Sequence, residues 1–220
     1  RESLDLHVEL RFHGARSLHG FVESLLSQDG RADASILAPE VMAPNNEPVD
    51  GIRFYLTRDL DVAKSYLKER YQEYSAARYG ILASSRDKDL VNFGVDNGWQ
   101  SSQMLKVGPW FTEDETSPLS CRQMQHPVTE FQCQGLELDM ALLAWGTDLL
   151  REHGEWTIGR SRKYSPRGAT SVVNPMQLRV NAYRVLLTRG RDGTVVFIPC
   201  IAAMDETFEY LKDCGIPLLP

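Results

Sequence analysis

Paired cysteines, long apolar runs and an excess of positive charge are all missing from this sequence. The cysteines show no Cys-x-x-Cys spacing, so neither a zinc site nor a disulfide framework is expected, and a reducing cytoplasm fits. No apolar run approaches the length of a membrane span, so no membrane partner is expected. The net charge of −6 argues against a protein that coats nucleic acid indiscriminately, while leaving room for a local basic groove.

Two elements of a complete nucleotide site are missing as well. There is no Gly-x-x-x-x-Gly-Lys-Ser/Thr phosphate loop, and no strand pattern ends in the paired acids that would hold magnesium. The 5 histidines lack ligand spacing, so no metal site is predicted. A small-molecule enzyme on an α/β fold would need a nucleophile–base pair or a metal cluster, and neither pattern occurs.

Strand and helix patterns alternate along the 220 residues, which are enough to bury a sizeable core. Strands are predicted over 4–10, 52–57, 79–85, 128–129, 140–145 and 194–198, and helices over 15–28, 59–74, 86–93, 176–189 and 205–213. The segments 94–126 and 151–175 show no sustained period, and the second, which is basic, is predicted to be a mobile loop. The alternation predicts an α/β layered domain with a mainly parallel sheet.

One informative segment lies near the end of the chain, over residues 181–199. Its pattern predicts a helix that runs to Thr188 and Arg189, breaks at Gly190 and leads into a buried strand. An arginine at such a helix end can reach across a cleft to an anion, and its planar guanidinium suits a phosphate better than lysine does. Taken singly, however, an arginine is more often a solvated or salt-bridged surface residue.

A second informative segment covers residues 128–139 and precedes a buried strand. Gly135 allows a ligand to approach the backbone closely, and Glu137 can accept ribose hydroxyls or orient an arginine. Thr129 and Gln134 offer neutral hydrogen bonds of the kind that position phosphates. Taken alone, Gln-Gly-x-Glu is more typical of a glycine turn that leads into a core strand.

The order of these segments resembles superfamily 1 helicases. Thr-x-x-x-x-Gln-Gly-Leu-Glu beginning at Thr129, a buried strand, and then Tyr-Arg-Val-Leu-Leu-Thr-Arg-Gly-Arg ending at Arg191 match the succession of motif V and motif VI. The segment Leu-His-Val-Glu-Leu-Arg-Phe over residues 6–12 resembles motif IV. Over residues 4–215 the chain resembles the bacterial helicase-like ATPase domain of the Schlafen-related group.

The resemblance implies a RecA-like, P-loop NTPase-type three-layer domain with a mainly parallel sheet that lacks the phosphate loop itself. Residues 1–220 would form a single second RecA-like domain, with irregular insertions near 94–126 and 151–175. Because the chain opens at Arg1 without an initiator methionine, we interpret it as a piece of a longer protein. The implied partners are an N-terminal RecA-like domain and DNA or RNA. ATP and Mg²⁺ would bind between the two domains, and this chain alone would bind neither tightly.

The resemblance also implies a role for individual residues. Arg189 would be the catalytic arginine finger that stabilises charge on the transferred γ-phosphoryl group, and Arg11 a second arginine facing the phosphates. Gly135 and Glu137 would line the nucleotide through the backbone and the ribose. The remaining implied contacts are to nucleotide, from Gln134, Arg184 and Arg191, and to nucleic acid, from Thr129 and Thr188. Apart from the resemblance, the charge of the basic loop suggests phosphate contacts from Arg160, Arg162 and Lys163, although a plain mobile loop explains these residues at least as well. Arg184 could instead pair with Glu137 or Asp139, and Arg191 is better explained as a surface residue.

Two functional hypotheses remain open at this point. The first is one half of an ATP-driven helicase-like motor, which the intact Arg189, Gly135 and Glu137 favour. The second is a RecA-like module that no longer hydrolyses ATP and serves as an interaction or regulatory platform, which the acidic net charge favours.

Two further expectations concern geometry. Arg11, Gly135, Glu137 and Arg189 should gather along one side of the sheet, since ligands of open α/β sheets bind beyond the carboxyl ends of the strands. Among the tryptophans, Trp145 belongs to a core pattern. Trp110 and Trp156, which lie in polar segments, are the better candidates for stacking on bases, although burial as loop anchors explains them better still.

Overall fold

A parallel sheet lies at the centre of the molecule. The computed structural model describes residues 17–28, 30, 32–34, 52–163 and 172–220. The strands in these ranges are β1 (Arg53–Thr57), β2 (Tyr79–Ala83), β3 (Val128–Thr129), β4 (Leu138–Ala144), β5 (Leu150–Glu152), β6 (Glu155–Thr157) and β7 (Gly190–Phe197). Five of them pair in the order β1-β7-β4-β2-β3, and every neighbouring pair is parallel. The predicted α/β class with a mainly parallel sheet is confirmed.

Helices cover both faces of this sheet. They are α1 (residues 17–25), α2 (Leu60–Arg70), α3 (Trp99–Met104), α4 (Val107–Thr112), α5 (Pro175–Leu187) and α6 (Asp205–Asp213). On one face, Leu67 of α2 shares a buried cluster with Ile81 of β2. On the other face, Tyr183 of α5 and Leu211 of α6 share a cluster with Leu143 of β4. The result is a three-layer arrangement of the RecA-like kind.

The two central strands read as nearly continuous apolar runs because helices cover both of their sides. Every residue of β2 is buried, and in β4 all but Asp139 are buried. This is why the sequence pattern placed both strands within two residues of where they lie.

Helix α5 connects the two ends of the sheet, which we call the amino end, where the strands begin, and the carboxyl end, where they stop. The Asn174 side chain accepts a hydrogen bond from Gln177 N at 3.0 Å, and Pro175 occupies the first turn, so the helix start is well defined. Its last residue, Leu187, lies three positions before the first residue of β7. The helix therefore runs back from the carboxyl end to the amino end of the sheet.

Two of the predicted segments differ from the structure. The helix predicted over 86–93 is a short 3₁₀ helix, Leu90–Phe93, because Asp87 accepts hydrogen bonds from Asp89 N and Leu90 N and bends the chain there. The segment 94–126 contains two short helices, α3 and α4. At six residues each, both are too short to show a helical period in the sequence.

The mobile loop predicted over 151–175 is wrong for its first part. Strands β5 and β6 form an antiparallel hairpin in which Arg151 and Trp156 are buried. Arg151 N donates to Thr207 Oγ1 at 2.9 Å, and the Arg151 guanidinium lies 4.2 Å from the centre of the Tyr210 ring. Packing on α6 thus orders a hairpin whose charged residues had indicated solvent exposure.

Some predicted features lie outside the described residues. These are the strand over 4–10, Arg11 with the motif IV segment, and residues 164–171. In the described part of the chain, Cys121, Cys133, Cys200 and Cys214 are free thiols. None of the helices described there has the length and apolar character needed to cross a bilayer.

Candidate functional site

The two motif segments meet at the amino end of the sheet. Gly135 and Glu137 lie directly before β4, and Arg189 lies directly before β7. Leu138 N donates to Arg189 O at 2.9 Å, and Arg189 Nη1 donates to Leu136 O at 3.2 Å. Residues far apart in sequence are thereby brought together, as expected. These residues lie at the amino end of the strands, so the expected position beyond the carboxyl ends is wrong. The reason is that the turn before β4 and the helix α5 before β7 each lead the chain to the start of a strand.

Arg189 is held in place by neutral partners. Its Nε donates to Val185 O at 3.1 Å and its Nη2 to Thr188 Oγ1 at 3.5 Å, in addition to the contact with Leu136 O. Val185 O belongs to the last turn of α5, and the carbonyl end of a helix attracts a cation. Within the described residues no carboxylate forms an ion pair with this half-buried guanidinium. Its charge therefore remains uncompensated and suits an anion arriving from outside.

The turn beside Arg189 leaves its backbone open. Gly135 has a φ of 81°, a left-handed conformation that favours glycine, and a Cβ added there would meet nothing within 4 Å. Glycine is thus required by the backbone conformation and not by crowding. The side chains of Gln134 and Glu137 are exposed on the same turn. A ligand can reach the backbone of this turn and the Glu137 carboxylate from solvent.

An open cleft of about 760 Å³ also lies at the amino end of the sheet, and Gly135, Glu137 and Arg189 are not among the residues that line it. Its walls include Asp139, Arg191 and Asp192, from the starts of β4 and β7, and Tyr71. Arg191 forms an ion pair with Asp139, and Tyr71 Oη donates to Asp192 Oδ2 at 2.7 Å. Burial, together with this hydrogen bond, raises the pKa of Tyr71 well above its ordinary value. Each of the two aspartates in this cleft thus has a partner: Asp139 pairs with Arg191, and Asp192 accepts from Tyr71.

Arg184 does not pair with Glu137 or Asp139. Its Nη1 donates to Asn181 Oδ1 at 2.8 Å, one turn back on α5. The suggested ion pair is wrong because Arg191 occupies the position next to Asp139. Arg184 and Arg189 nevertheless lie within two turns of each other at the same end of α5.

A buried polar network, which the sequence reasoning missed, fills the carboxyl end of the sheet. Arg179 of α5 is 2% exposed. Its guanidinium contacts Glu130 Oε1 at 2.8 Å and Asp148 Oδ2 at 2.9 Å, and it donates to Ser84 Oγ. Tyr183, one turn further along α5, donates to Asp148 Oδ1 at 2.7 Å. These partners directly follow β2 and β3 or lie shortly after β4.

The charge of Arg179 is maintained by this surrounding. Burial lowers the pKa of its guanidinium, but Glu130 and Asp148 outweigh burial and raise it above the ordinary value. A signal for the network was present in the sequence, since Arg179 and Tyr183 are four residues apart on the otherwise apolar side of α5. A charged residue on a buried helix face requires buried partners of opposite charge.

Comparison with known families identifies the domain. The family described as Schlafen group 3, DNA/RNA helicase domain, matches residues 1–200. The chain belongs to this family. A comparison with curated proteins gives no match. Membership places this Schlafen helicase domain in the general class of helicase-like, ATPase-related proteins.

The hydroxyls assigned to nucleic-acid contact in the Schlafen domain are already engaged. Thr129 is buried, and its Oγ1 donates to Gln132 Oε1 at 3.1 Å. The Thr188 hydroxyl donates back to Arg184 O at 2.9 Å, at the end of α5. The three basic residues at 160, 162 and 163 lie at the surface, with Arg160 and Lys163 exposed.

The tryptophans of the Schlafen domain are arranged differently from the stacking prediction. Trp110 and Trp156 are buried, and Trp110 Nε1 donates to His126 O at 3.0 Å. Trp156 stacks on Trp145 with ring centres 5.6 Å apart, so both belong to the core. The stacking role for Trp110 and Trp156 is therefore wrong, whereas their burial as anchors and the core position of Trp145 are confirmed. Trp99 is the exposed tryptophan of the described residues.

Proposed function

We propose that this Schlafen domain forms one wall of an ATP site in a helicase-like ATPase and supplies Arg189 as its arginine finger. The observation that carries the proposal is the position of Arg189 at the amino end of the sheet. There its guanidinium touches the motif V turn at Leu136 O and forms no ion pair with a described carboxylate. An uncompensated, partly buried guanidinium beside an open glycine turn is suited to a phosphate.

The other wall would come from an N-terminal RecA-like domain that carries the phosphate loop and the acids for Mg²⁺. ATP with Mg²⁺ would bind between the two domains, and this chain alone would neither hydrolyse ATP nor bind it tightly. Gly135 and Gln134 would contact the nucleotide through the open turn, and Glu137 would accept its ribose hydroxyls. Arg11, which lies outside the described residues, is proposed as a second arginine at the phosphates on the resemblance alone.

The proposed chemistry is electrostatic. As the γ-phosphoryl group is transferred, negative charge on its oxygens is redistributed in the transition state, and a fixed cation stabilises that charge without reorganising. Because such a group acts more strongly on the transition state than on bound ATP, it changes turnover more than affinity. The hydrogen bonds to Val185 O and Leu136 O fix the guanidinium in advance.

The alternative is a module that binds partners without hydrolysing ATP. The net charge of −6 favours it, because an acidic chain is not attracted to nucleic acid as a whole. The two proposed functions predict different rates of ATP turnover in the full-length protein. A domain that only binds partners has no use for a pre-positioned arginine, so removal of the Arg189 side chain would leave its function intact.

The test is Arg189→Ala in the full-length protein, with Lys68→Ala on the exposed side of α2 as a control that removes the same charge. We expect kcat for ATP to fall by about 10³-fold or more, while the Kd for ATP changes only about threefold. Lys68→Ala should behave as wild type. Turnover that survives Arg189→Ala within a few-fold would contradict the proposal and favour the non-hydrolysing alternative.

A further inference from the structure

The chain turns sharply just before β4, at residues 133–136, which we call the Gly135 turn. Leu136 N donates to Cys133 O at 3.1 Å and closes this turn. Gly135 has a φ of 81°, and Gln134 before it has an ordinary negative φ. This succession is that of a type II turn, whose third position requires a positive φ and is therefore occupied by glycine or asparagine.

The chain is fixed on both sides of the Gly135 turn. Before the turn, Cys133 is buried in the core. After the turn, Leu138 N donates to Arg189 O at 2.9 Å. Leu136 itself packs against the core cluster that contains Cys133. Because these neighbours are held, the direction of the Leu136 carbonyl depends on the backbone conformation at Gly135.

The Leu136 carbonyl is one of the two closest partners of the proposed finger. Arg189 Nη1 donates to Leu136 O at 3.2 Å, and Arg189 Nε donates to Val185 O at 3.1 Å. Two hydrogen bonds from different nitrogens fix the plane of a guanidinium as well as its position. One of them is made to the regular helix α5 and the other to the Gly135 turn. The orientation of Arg189 therefore depends on the turn as well as on the helix.

Packing within the domain does not explain the glycine. A Cβ added at Gly135 would meet nothing within 4 Å, so a larger side chain has room there. What the position requires is the left-handed backbone, which lowers the population of that conformation by about 10-fold for an L-residue such as alanine. The conserved requirement at this position of the turn is thus one of conformation, and the contact that the conformation makes possible is the one to Arg189.

We propose that Gly135 is a positioning residue for Arg189. Its left-handed conformation directs the Leu136 carbonyl at the guanidinium, and the guanidinium is thereby oriented before the phosphates arrive. Gly135 acts in this way through Arg189, in addition to any backbone contact that it makes with the nucleotide. The inference rests on the proposed function, because it concerns the orientation of the same finger.

The test compares Gly135→Ala with Gly135→Asn in the full-length protein. Alanine disfavours a positive φ, whereas asparagine tolerates it although its side chain is larger. We expect kcat for ATP to fall by about 10-fold in Gly135→Ala and to stay within about threefold of wild type in Gly135→Asn. The Kd for ATP should change little in either variant.

The opposite order would overturn the inference. If glycine is present only so that the nucleotide can approach the backbone, the larger asparagine side chain should do more harm than alanine. The Kd for ATP should then rise in both variants, and most in Gly135→Asn.

Gly154 provides a matched control for backbone strain. It lies in the turn between β5 and β6, has the same φ of 81°, and a Cβ added there would also meet nothing within 4 Å. Gly154→Ala should therefore introduce the same conformational strain without changing kcat. An equal loss of kcat in Gly154→Ala and Gly135→Ala would assign the effect to general destabilisation and overturn the positioning role.

A double-mutant cycle tests whether Gly135 acts through Arg189. The quantity measured is the affinity for ADP with aluminium fluoride, which mimics the transferred phosphoryl group, relative to the affinity for ADP alone. Gly135→Ala should lower this ratio by about 10-fold in the wild-type background and have little further effect in Arg189→Ala. An equal reduction in both backgrounds would show that Gly135 acts independently of Arg189.

The outcome is separable from that of the proposed function. Turnover that survives Arg189→Ala would contradict the proposed function itself. Loss of turnover in Arg189→Ala, together with a kcat and an analogue preference close to wild type in Gly135→Ala, would overturn the inference about Gly135 alone.

Discussion

Arg179 is the residue on which the carboxyl end of the domain depends most. It brings one positive charge among Glu130 and Asp148 in the interior and donates to Ser84 Oγ. Removing one partner of such a buried group leaves the other charges without compensation, which costs more than the intact pair contributes.

We expect Arg179→Met to lower the free energy of unfolding by about 3–5 kcal/mol, since Glu130 and Asp148 would remain buried without a cation. Arg184→Met, on the same helix but bonded only to Asn181 and partly solvated, should cost less than about 1 kcal/mol. Urea denaturation of the three proteins checks this. Equal effects of the two substitutions would show that burial of the charge is not decisive.

Cys133 gives a prediction in pH. Burial is the main reason that its pKa rises from 9.0 to about 11, so the folded protein favours the protonated thiol. The folded state then holds more protons than the unfolded state between pH 9 and 11, and stability must fall as pH rises through that range.

Between pH 9 and 11, the free energy of unfolding of wild type should fall by about 1.4 kcal/mol per pH unit more than that of Cys133→Ala. Unfolding free energies measured from pH 8 to 11 give the comparison. Parallel curves for wild type and Cys133→Ala would contradict the assignment.

The strand β7 shows at the scale of one element why glycine occurs where it does. Gly193 has a φ of 144°, and a Cβ there would lie 1.8 Å from Arg53 O. A Cβ on Gly190 would lie 1.9 Å from Gly193 O. The start of β7 therefore packs backbone against backbone, at the irregular register between β4 and β7.

Gly193→Ala should destabilise the protein by about 3 kcal/mol or more, because the clash is with backbone that cannot move aside and the conformation suits glycine. Gly20→Ala is the matched substitution: a Cβ there meets nothing within 4 Å, and the residue lies in α1. Alanine favours a helix, so this change should stabilise by up to about 1 kcal/mol. Thermal unfolding of both variants would show whether their effects have opposite signs.

The sequence predicted elements whose pattern is long and regular. Apolar runs predicted β2, β4 and β7, and helical spacing of apolar residues predicted α5 and α6. The predicted bounds lie within a few residues of the observed ones, because burial imposes a clear apolar pattern on each element. Hairpin β5–β6 was missed, since its strands have three residues each and its ordering comes from Arg151 packing on Tyr210, far along the chain.

The candidate site could be predicted as a set of residues but not in its position. The motif spacing correctly grouped Arg189, Gly135 and Glu137, whereas the general rule for open sheets placed them at the wrong end of the sheet.

The exposure of the tryptophan side chains could not be predicted from local composition either. Trp110 and Trp156 lie in polar segments yet are buried, while Trp99, in a similar segment, is exposed. Long-range packing decides these cases.

At the scale of the whole molecule, the two ends of the sheet differ in the polar groups that they carry. The amino end carries Arg189, which has no ion-pair partner among the described carboxylates, beside an open glycine turn. The carboxyl end carries the buried polar network of Arg179, Glu130 and Asp148. Helix α5 spans the distance between them, with Arg179 near its start and Arg189 just past its end. Arg179 and Arg189 therefore lie towards opposite ends of one helix.

The central claim is that Arg189 acts on the transferred phosphoryl group. The most direct measurement is calorimetric binding of ADP to the full-length protein, with and without aluminium fluoride, which mimics that group in the transition state. Wild type should bind the ADP–fluoride complex at least about 100-fold more tightly than ADP, as transition-state analogues do. Arg189→Ala should bind ADP as wild type does and lose most of the extra affinity. An undiminished preference for the analogue in Arg189→Ala would contradict the account.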